Sequence, residues 1–190
     1  MHSRFTVVYD ACVLYPAMLR DVLLQLATTG LFRARWTDQI HDEWIENLLS
    51  NRSDLDRAKL ERTRDCMDRA VLDCLVTGYE GLADGIALPD PSDRHVVATA
   101  IRCHAALIVT ANIKDFPKES LQPLGIKAEH PDNFIADLID IEPGRVVHAM
   151  NLVRHRLTKP KYSAAEFLTS LGSQGLFQTH GKLQQYADSI

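Results

Sequence analysis

Residues 5–10 read Phe-Thr-Val-Val-Tyr-Asp, a continuous run of apolar, aromatic and β-branched side chains that ends abruptly at a carboxylate. Such a run is typical of a strand buried on both faces, as strands are in a parallel sheet covered by helices. The run therefore predicts a central strand. It also predicts that Asp10 stands at the edge of the sheet where this strand ends.

Strand-like and helix-like patterns alternate through the first two thirds of the chain. A second buried run, Ala105 to Thr110, predicts another parallel strand. Between the two runs, the patterns indicate a helix over 17–27, a short strand or extended link over 32–36, a helix capped by Thr37, a charged helix over about 54–76, a short strand over 86–88 and a helix opened by Asp93. This order predicts an α/β fold in which helices wrap a parallel sheet.

After about residue 128 the pattern becomes helical only. Pro131 starts one helix, Pro143 starts the next, and Ser163 to Glu166 has the form of a capping box that opens a third. We expect two domains, an α/β domain over 1–128 and a helical extension over 129–190. Apolar residues in the extension predict that it packs on the core, on a second copy or on a partner's helix: Leu152, Phe167, Leu168, Leu171 and Phe177.

Composition restricts the classes of function. Lys and Arg number 21 against 25 Asp and Glu, a net charge of -4, which argues against nucleic-acid binding by bulk positive charge. The four cysteines form no C-x-x-C pair, which predicts free thiols in a reducing compartment. No apolar stretch approaches the ~20 residues of a membrane span, and no signal peptide is recognisable. We therefore expect a cytoplasmic protein that has no membrane partner.

Acidic and amide side chains follow the two buried runs. Asp10 comes directly after the first, and Asn112 and Asp115 come just after the second. The carboxyl ends of parallel strands meet at one edge of the sheet, where open α/β folds bind their ligands. Asp93 lies in the first turn of the helix before the second run, where an isolated acid acts as a cap or as a partner of the helix dipole.

Glu43 is a further acid that is predicted to face the protein interior. Steps of 100° per residue from Ile40 place Glu43 and Asn47 on the packed face of their helix. A carboxylate there is costly unless it is paired or bound to a cation. His41 and His95 lie two residues from Glu43 and from Asp93, and both are expected to be surface residues or neighbours of the acids.

Convergence of Asp10, Glu43, Asp93 and Asp115 would require a cation. Two like charges ~4 Å apart cost on the order of 4 kcal/mol at an effective dielectric constant of 20. Because these side chains are oxygen donors, Mg²⁺ or Mn²⁺ is the expected ion.

These segments resemble the PIN-domain nucleases, and within them the VapC-like toxins of bacterial toxin–antitoxin pairs. The resemblance rests on residues 8–16 (Val-Tyr-Asp-Ala-Cys-Val-Leu-Tyr-Pro), Glu43-Trp44 with Asn47-Leu48-Leu49, residues 88–96 (Leu-Pro-Asp-Pro-Ser-Asp-Arg-His-Val) and residues 109–117 (Val-Thr-Ala-Asn-Ile-Lys-Asp-Phe-Pro). They occur in the family's order and span most of residues 5–117. The helical extension looks like that of a longer subgroup of these toxins.

The resemblance implies a three-layer PIN-like core with an acidic metal site. Its ligands for Mg²⁺ or Mn²⁺ would be Asp10, Glu43, Asp93 and Asp115. Asn112 is an alternative to Asp115, and Asp90 is a candidate of lower rank. Many members of the family carry Asn or Ser two residues after the first Asp, where this chain has Cys12.

The resemblance also implies an activity and partners. It implies an endoribonuclease that leaves 5′-phosphate and 3′-hydroxyl ends on RNA, an antitoxin protein as partner, and a homodimer as one possible assembly. The metal would polarise the phosphate and activate a water. The candidates for contacts with RNA phosphates are Arg20, Arg94, Lys114, Lys118 and the basic segment from Arg154 to Lys161, and each is equally interpretable as solvated surface charge.

Two alternatives remain open at the level of sequence. Phosphatases that form an aspartyl-phosphate also place an Asp after the first strand, but they typically need a second acid two residues later, where Cys12 stands here. A degenerate PIN-like binding module would keep the fold without the chemistry.

Overall fold

Four short parallel strands form the sheet in residues 5–190, the part of the chain that the computed structural model describes. They are β1 (Thr6–Tyr9), β2 (Arg33–Arg35), β3 (Leu107–Val109) and β4 (Lys127–Glu129), in the spatial order β2-β1-β3-β4. The central pair, β1 and β3, comes from the two apolar runs of the sequence. Residues 1–4 of the predicted α/β domain lie outside the described residues. The predicted α/β class with a parallel sheet is confirmed.

Helices connect the strands and cover the sheet. They are α1 (Ala11–Leu14), α2 (Ala17–Ala27), α3 (Asp38–Asn51), α4 (Arg57–Ala70), α5 (Arg94–Arg102) and α6 (Lys118–Leu121), with short 3-10 turns at Glu80–Gly85, Pro91–Asp93, Ile113–Asp115 and Gln122–Leu124. Thr37 begins α3 as predicted, because its hydroxyl accepts a hydrogen bond from the amide of Ile40 at 3.1 Å. The apolar face of α5 packs against β1 and β3, so the short segment before α5 is held near the ends of these strands.

The charged helix predicted over 54–76 is shorter than expected. It is α4, which ends at Ala70 because the chain beyond it runs beside the end of β2. There the amide of Trp36 donates to the carbonyl of Cys74 at 3.0 Å, and the amide of Val76 donates to the carbonyl of Trp36 at 2.9 Å. This pairing satisfies backbone groups that a longer helix would have used.

Two strand assignments differ from the sequence pattern. The short strand predicted over 86–88 is wrong, because this segment follows a 3-10 turn and pairs with no strand among the described residues. The pattern does not predict β4, since Lys-Ala-Glu is short and mostly polar. β4 pairs with β3 at an edge of the sheet, where polar side chains are acceptable.

The C-terminal part of the chain is helical, as predicted. It contains α7 (Pro131–Ile141), α8 (Pro143–Arg156), α9 (Ala164–Ser173), α10 (Phe177–Leu183) and a final 3-10 turn at Gln184–Ser189. The predicted capping box is present, since the Ser163 hydroxyl accepts from the amide of Glu166 at 3.3 Å and the Glu166 carboxylate accepts from the amide of Ser163 at 2.8 Å. The packing of α8 on α2 joins this part to the sheet-containing part.

A buried carboxylate joins α7 to α10. Asp132, only 5% exposed, accepts hydrogen bonds from the amides of Gln178 at 2.9 Å and of Thr179 at 2.8 Å. These amides lie in the first turn of α10, whose own N-terminal residue Leu176 provides no capping side chain. Asp132 therefore caps a helix that lies far from it in sequence.

The apolar residues of the extension divide into two groups. Phe167, Leu168 and Leu171 are buried, whereas Leu152 is 37% exposed and Phe177 is 73% exposed. The domain division between residues 128 and 129 stays a prediction, and β4 runs across it to Glu129. No helix in the described residues is long and apolar enough to cross a membrane.

Candidate active site

Asp10 lies directly after β1, at the carboxyl edge of the sheet, and is 5% exposed. Its amide donates to the carbonyl of Val109 at 3.1 Å, which ties the end of β1 to the end of β3. One carboxylate oxygen, Oδ2, accepts hydrogen bonds from the Thr110 hydroxyl at 2.7 Å and from the Cys12 thiol at 3.0 Å. The other oxygen accepts no hydrogen bond from the described residues and is therefore available to a ligand.

Cys12 and Thr110 hold the Asp10 carboxylate in place. Burial, followed by the negative charge of Asp10, raises the pKa of the Cys12 thiol to about 12. Cys12 is therefore a neutral thiol that donates to Asp10, which is the role that a hydroxyl or amide would fill at this position. Thr110 is a positioning residue that sequence reasoning missed. The available signal was a polar side chain at the last position of the apolar run over 105–110, directly after β3.

Asp93 lies at the start of α5, yet its side chain makes no capping hydrogen bond. Its half-buried carboxylate therefore does not cap α5. Burial raises the pKa of Asp93 to about 6, and the next contributions come from the charges of Asp10, Asp90, Asp115 and Glu43, in that order. Asp93 thus lies within electrostatic reach of each of the other three predicted acids.

Glu43 projects from α3 towards α5. Its side chain is 34% exposed, and its Oε1 atom lies 2.8 Å from Nε2 of His95. Nε2 of the buried His95 therefore faces the Glu43 carboxylate, and its Nδ1 atom has no hydrogen-bond partner among the described residues. The expected interior placement of Asn47 is wrong: it is exposed, since the buried face of α3 is formed by residues such as Trp44 and Ile45.

The remaining candidates occupy the two turns beside the sheet edge. Asp115 is half-buried at the end of the turn Ile113–Asp115, and its amide donates to the carbonyl of Asn112 at 2.9 Å. Asn112 is exposed, and its amide donates to the Thr110 hydroxyl at 3.0 Å. Asp90 accepts from both the amide and the hydroxyl of Ser92, which lower its pKa. Asp90 therefore has a capping role of its own.

Ion pairs with lysine or arginine do not neutralise the acids in the part of the chain that the structure describes. No Lys or Arg of residues 5–190 forms a salt bridge with Asp10, Asp93 or Asp115, whereas Asp38 and Asp42 on the outer face of α3 both pair with Arg64. The oxygen donors suit a hard divalent cation. The described residues contain no group of three Asp, Glu, His or Cys side chains already arranged to hold a metal ion.

Several predicted neighbours of the site have other roles. Arg20, a candidate for phosphate contact, is buried: it donates to the carbonyl of Leu14 at 2.7 Å and lies 4.7 Å from the centre of the Trp44 ring. Lys114 and Lys118 are exposed and remain candidates. In the basic segment of the extension, Arg154 donates to the carbonyls of Ile190 and Tyr162, which gives it a structural role.

His41, expected to be a surface residue or a neighbour of the acids, is a fully buried part of the core. Its Nδ1 atom accepts from the indole of Trp44 at 3.0 Å, so Nε2 carries the proton that is donated to Asp68 at 2.9 Å. Burial lowers the pKa of His41. The histidine therefore links α3 to α4 and is unavailable to a ligand.

The PIN domain family matches residues 6–114, which is more than half of the chain and includes Asp10, Glu43 and Asp93. The chain belongs to the PIN domain family. Within this PIN protein, residues 131–185 match the family described as the VapC50 C-terminal domain. PIN nucleases generally use divalent metal ions.

Part of the chain is also similar to part of a curated protein. The PIN protein is 38% identical over 82 residues to "Putative ribonuclease VapC50" of Mycobacterium tuberculosis, which is 43% of this chain and 48% of the relative. The matched region thus spans about half the length of that relative. No solved structure matches the chain significantly.

Proposed function

We propose that this PIN protein is a metal-dependent endoribonuclease that hydrolyses RNA phosphodiester bonds as the toxin of a toxin–antitoxin pair. The observation that supports the proposal is that Asp93 lies within electrostatic reach of Asp10, Asp115 and Glu43, and that no Lys or Arg of residues 5–190 forms a salt bridge with any of these four acids. Clustered carboxylates without a basic partner are stabilised by a bound cation. The similarity to a protein named as a ribonuclease supports the choice of RNA.

The four acids have different parts in the proposed site. Asp10 and Asp93 are the principal ligands for Mg²⁺ or Mn²⁺, because Asp10 has an unused oxygen and Asp93 makes no capping bond. Glu43 and Asp115 complete the site or orient the attacking water. The bound ion would polarise the phosphate and lower the pKa of a water molecule. Thr110 and Cys12 keep Asp10 in one orientation throughout.

The partners follow from the same family assignment. VapC toxins bind RNA and an antitoxin, and the C-terminal match supports membership of that group. The exposed Leu152 and Phe177 of the extension are available to an antitoxin helix or to a second copy of the chain. Four free cysteines, all within the described residues, agree with the proposed location in the reducing cytoplasm.

Neither alternative from the sequence gains support. The residue two positions after Asp10 is the thiol Cys12, so the second acid of an aspartyl-phosphate phosphatase is absent from that place. A degenerate binding module would be expected to lose acids near Asp93, and here Asp10, Asp115 and Glu43 all act on its charge.

The decisive experiment measures RNA cleavage and metal binding in parallel. Wild type should cleave RNA with Mg²⁺ or Mn²⁺ and lose activity in excess EDTA, and Asp10→Asn should lower the rate by about 100-fold or more. Calorimetry should show Mn²⁺ binding to wild type that weakens in Asp10→Asn. The control is Asp65→Asn, since Asp65 is exposed and has no ion pair in the described chain.

Equal cleavage by wild type and Asp10→Asn, or full activity in EDTA, would contradict the proposal. Absence of binding of any divalent cation would favour the non-catalytic alternative.

A further inference from the structure

A polar cavity of about 350 Å³ lies beside the acidic site, between α3, the turn Glu80–Gly85 and the start of α5. The residues in its wall that carry functional groups are Gln39, Tyr79, Glu80, Asp84, Arg94 and His95. The function proposed above uses none of these residues as a metal ligand. A cavity of this size has room for one nucleobase, which is the unit that proteins recognise in single-stranded RNA.

Two side chains of the wall carry buried nitrogen atoms that have no hydrogen-bond partner. His95 is only 5% exposed, and its Nδ1 atom has no hydrogen-bond partner within the described residues, whereas its Nε2 atom faces Glu43. The Nε atom of Arg94 is likewise buried and unpaired there. Because buried polar groups are nearly always hydrogen-bonded, these atoms indicate a partner that the chain itself does not provide.

The cavity is continuous in sequence and in space with the acids. Arg94 and His95 directly follow Asp93, and Nε2 of His95 lies 2.8 Å from Glu43. A base bound in the cavity would therefore belong to a nucleotide that adjoins the cleaved phosphate.

The charges at the rim distinguish a base from a phosphate. Glu80 and Asp84 are exposed on the short turn and form no salt bridge among residues 5–190. Their negative charge repels a phosphate group, but a carboxylate accepts hydrogen bonds from the N–H groups of a base. Arg94 and His95 supply donors for base acceptors, and Tyr79 supplies an aromatic side chain.

We propose that this cavity is a subsite that binds one base next to the cleaved phosphate, with guanine as the preferred base. Guanine presents the acceptors O6 and N7 together with N–H donors, which matches a wall that carries donors from Arg94 and His95 and acceptors from Glu80 and Asp84. Uracil lacks the amino group, and adenine and cytosine lack this combination of groups. The inference rests on the proposed ribonuclease function.

The first test measures binding alone, on the full chain in EDTA, so that no cleavage occurs. The probes are the four nucleoside 5′-monophosphates, which share the phosphate and differ in the base, and NMR titration gives their relative affinities. GMP should bind about 5-fold or more tightly than the others, and Arg94→Gln should remove this preference. Arg62→Gln is the control, because Arg62 is exposed and lies on α4. Gln39→Ala, at an exposed wall position, removes the acceptor of the Tyr79 hydroxyl and should weaken the preference.

The second test sequences the products of a randomised RNA pool after cleavage by wild type and Arg94→Gln. Guanine should be enriched about 5-fold or more at one position beside the cut, and the enrichment should disappear in the variant. Equal affinity for the four nucleotides, or a guanine preference that Arg94→Gln and Gln39→Ala leave intact, overturns the subsite. Failure of wild type to cleave any RNA overturns the proposed function instead, and the nucleotide titration distinguishes the two results.

Discussion

Asp10 and Asp132 are equally buried carboxylates with opposite surroundings. Each is 5% exposed and each lies at the start of a helix. Both oxygens of Asp132 accept backbone amide hydrogen bonds from α10, at 2.8 and 2.9 Å. In Asp10, two side-chain donors share one oxygen, and the other is unused by the described residues. Burial alone therefore does not distinguish the two acids, whereas the unused oxygen of Asp10 does.

The largest expected effect is on the stability of the Asp132 region. Asp132→Asn replaces one acceptor with an amide donor that faces a backbone N–H, so we expect the free energy of unfolding to fall by about 3 kcal/mol. Asp10→Asn can keep its oxygen towards Thr110 and Cys12, and its free energy of unfolding should change by less than about 1 kcal/mol. Urea denaturation monitored by circular dichroism measures both.

Activity should respond in the reverse order for these two variants. Folded Asp132→Asn should keep the specific RNase activity of wild type, whereas Asp10→Asn should lose it. Equal losses of stability in the two variants would show that the unused oxygen of Asp10 does not distinguish the two acids.

A smaller effect is expected from removal of one donor to Asp10. Thr110→Val deletes the 2.7 Å hydrogen bond while it keeps the shape of the side chain, so we expect about a 10-fold loss in the rate of RNA cleavage. Thr110→Ser restores the hydroxyl and should restore most of the rate. Thr99→Val is the matched control, because the buried Thr99 hydroxyl bonds only within its own helix, to the carbonyl of His95. If Thr110→Val and Thr99→Val have the same rate, Thr110 does not position Asp10.

The smallest expected effect concerns the pH dependence of stability. The folded protein raises the pKa of Asp93 from 3.8 to about 6, so between these values the folded state binds more protons than the unfolded state. The free energy of unfolding in EDTA should therefore decrease as pH rises through this window. Because Asp93 is partly exposed, solvent screening reduces the expected decrease to about 1 kcal/mol. Urea denaturation at several pH values measures this dependence, and Asp93→Asn should lack the decrease. If the free energy of unfolding of wild type and of Asp93→Asn changed in parallel with pH, Asp93 would not be buried among other acids as described.

The parts of the fold that the sequence predicts are those with strong local signals. The apolar runs that form β1 and β3, the helix over 17–27 and the capping box at Ser163 are all visible in a single segment. The placement of Asp10 and Asp115 also follows from local rules, because parallel strands end at a common edge, and Asp93 lies within electrostatic reach of both. Their function as metal ligands stays a prediction.

Features that depend on distant contacts are not visible in the sequence. Periodicity places Asn47 on the packed face of α3, but the side chains that are buried on this turn are Trp44 and Ile45, and Asn47 is exposed. His41 looks like a polar surface residue until Trp44 and Asp68 are seen to bind both of its nitrogens. Likewise, Arg20 has a basic side chain whose role is decided by the carbonyl of Leu14 and the ring of Trp44. In each of these cases, tertiary packing decides whether the side chain is buried and what it contacts.

The thiol of Cys12 and the hydroxyl of Thr110 lie 3.3 Å apart although 98 residues separate them in the chain, and both donate to one oxygen of Asp10. A bulkier or acceptor-only group at either position would displace the other donor. The residues tolerated at one of these positions should therefore depend on the residue at the other, so positions 12 and 110 are expected to covary among related sequences.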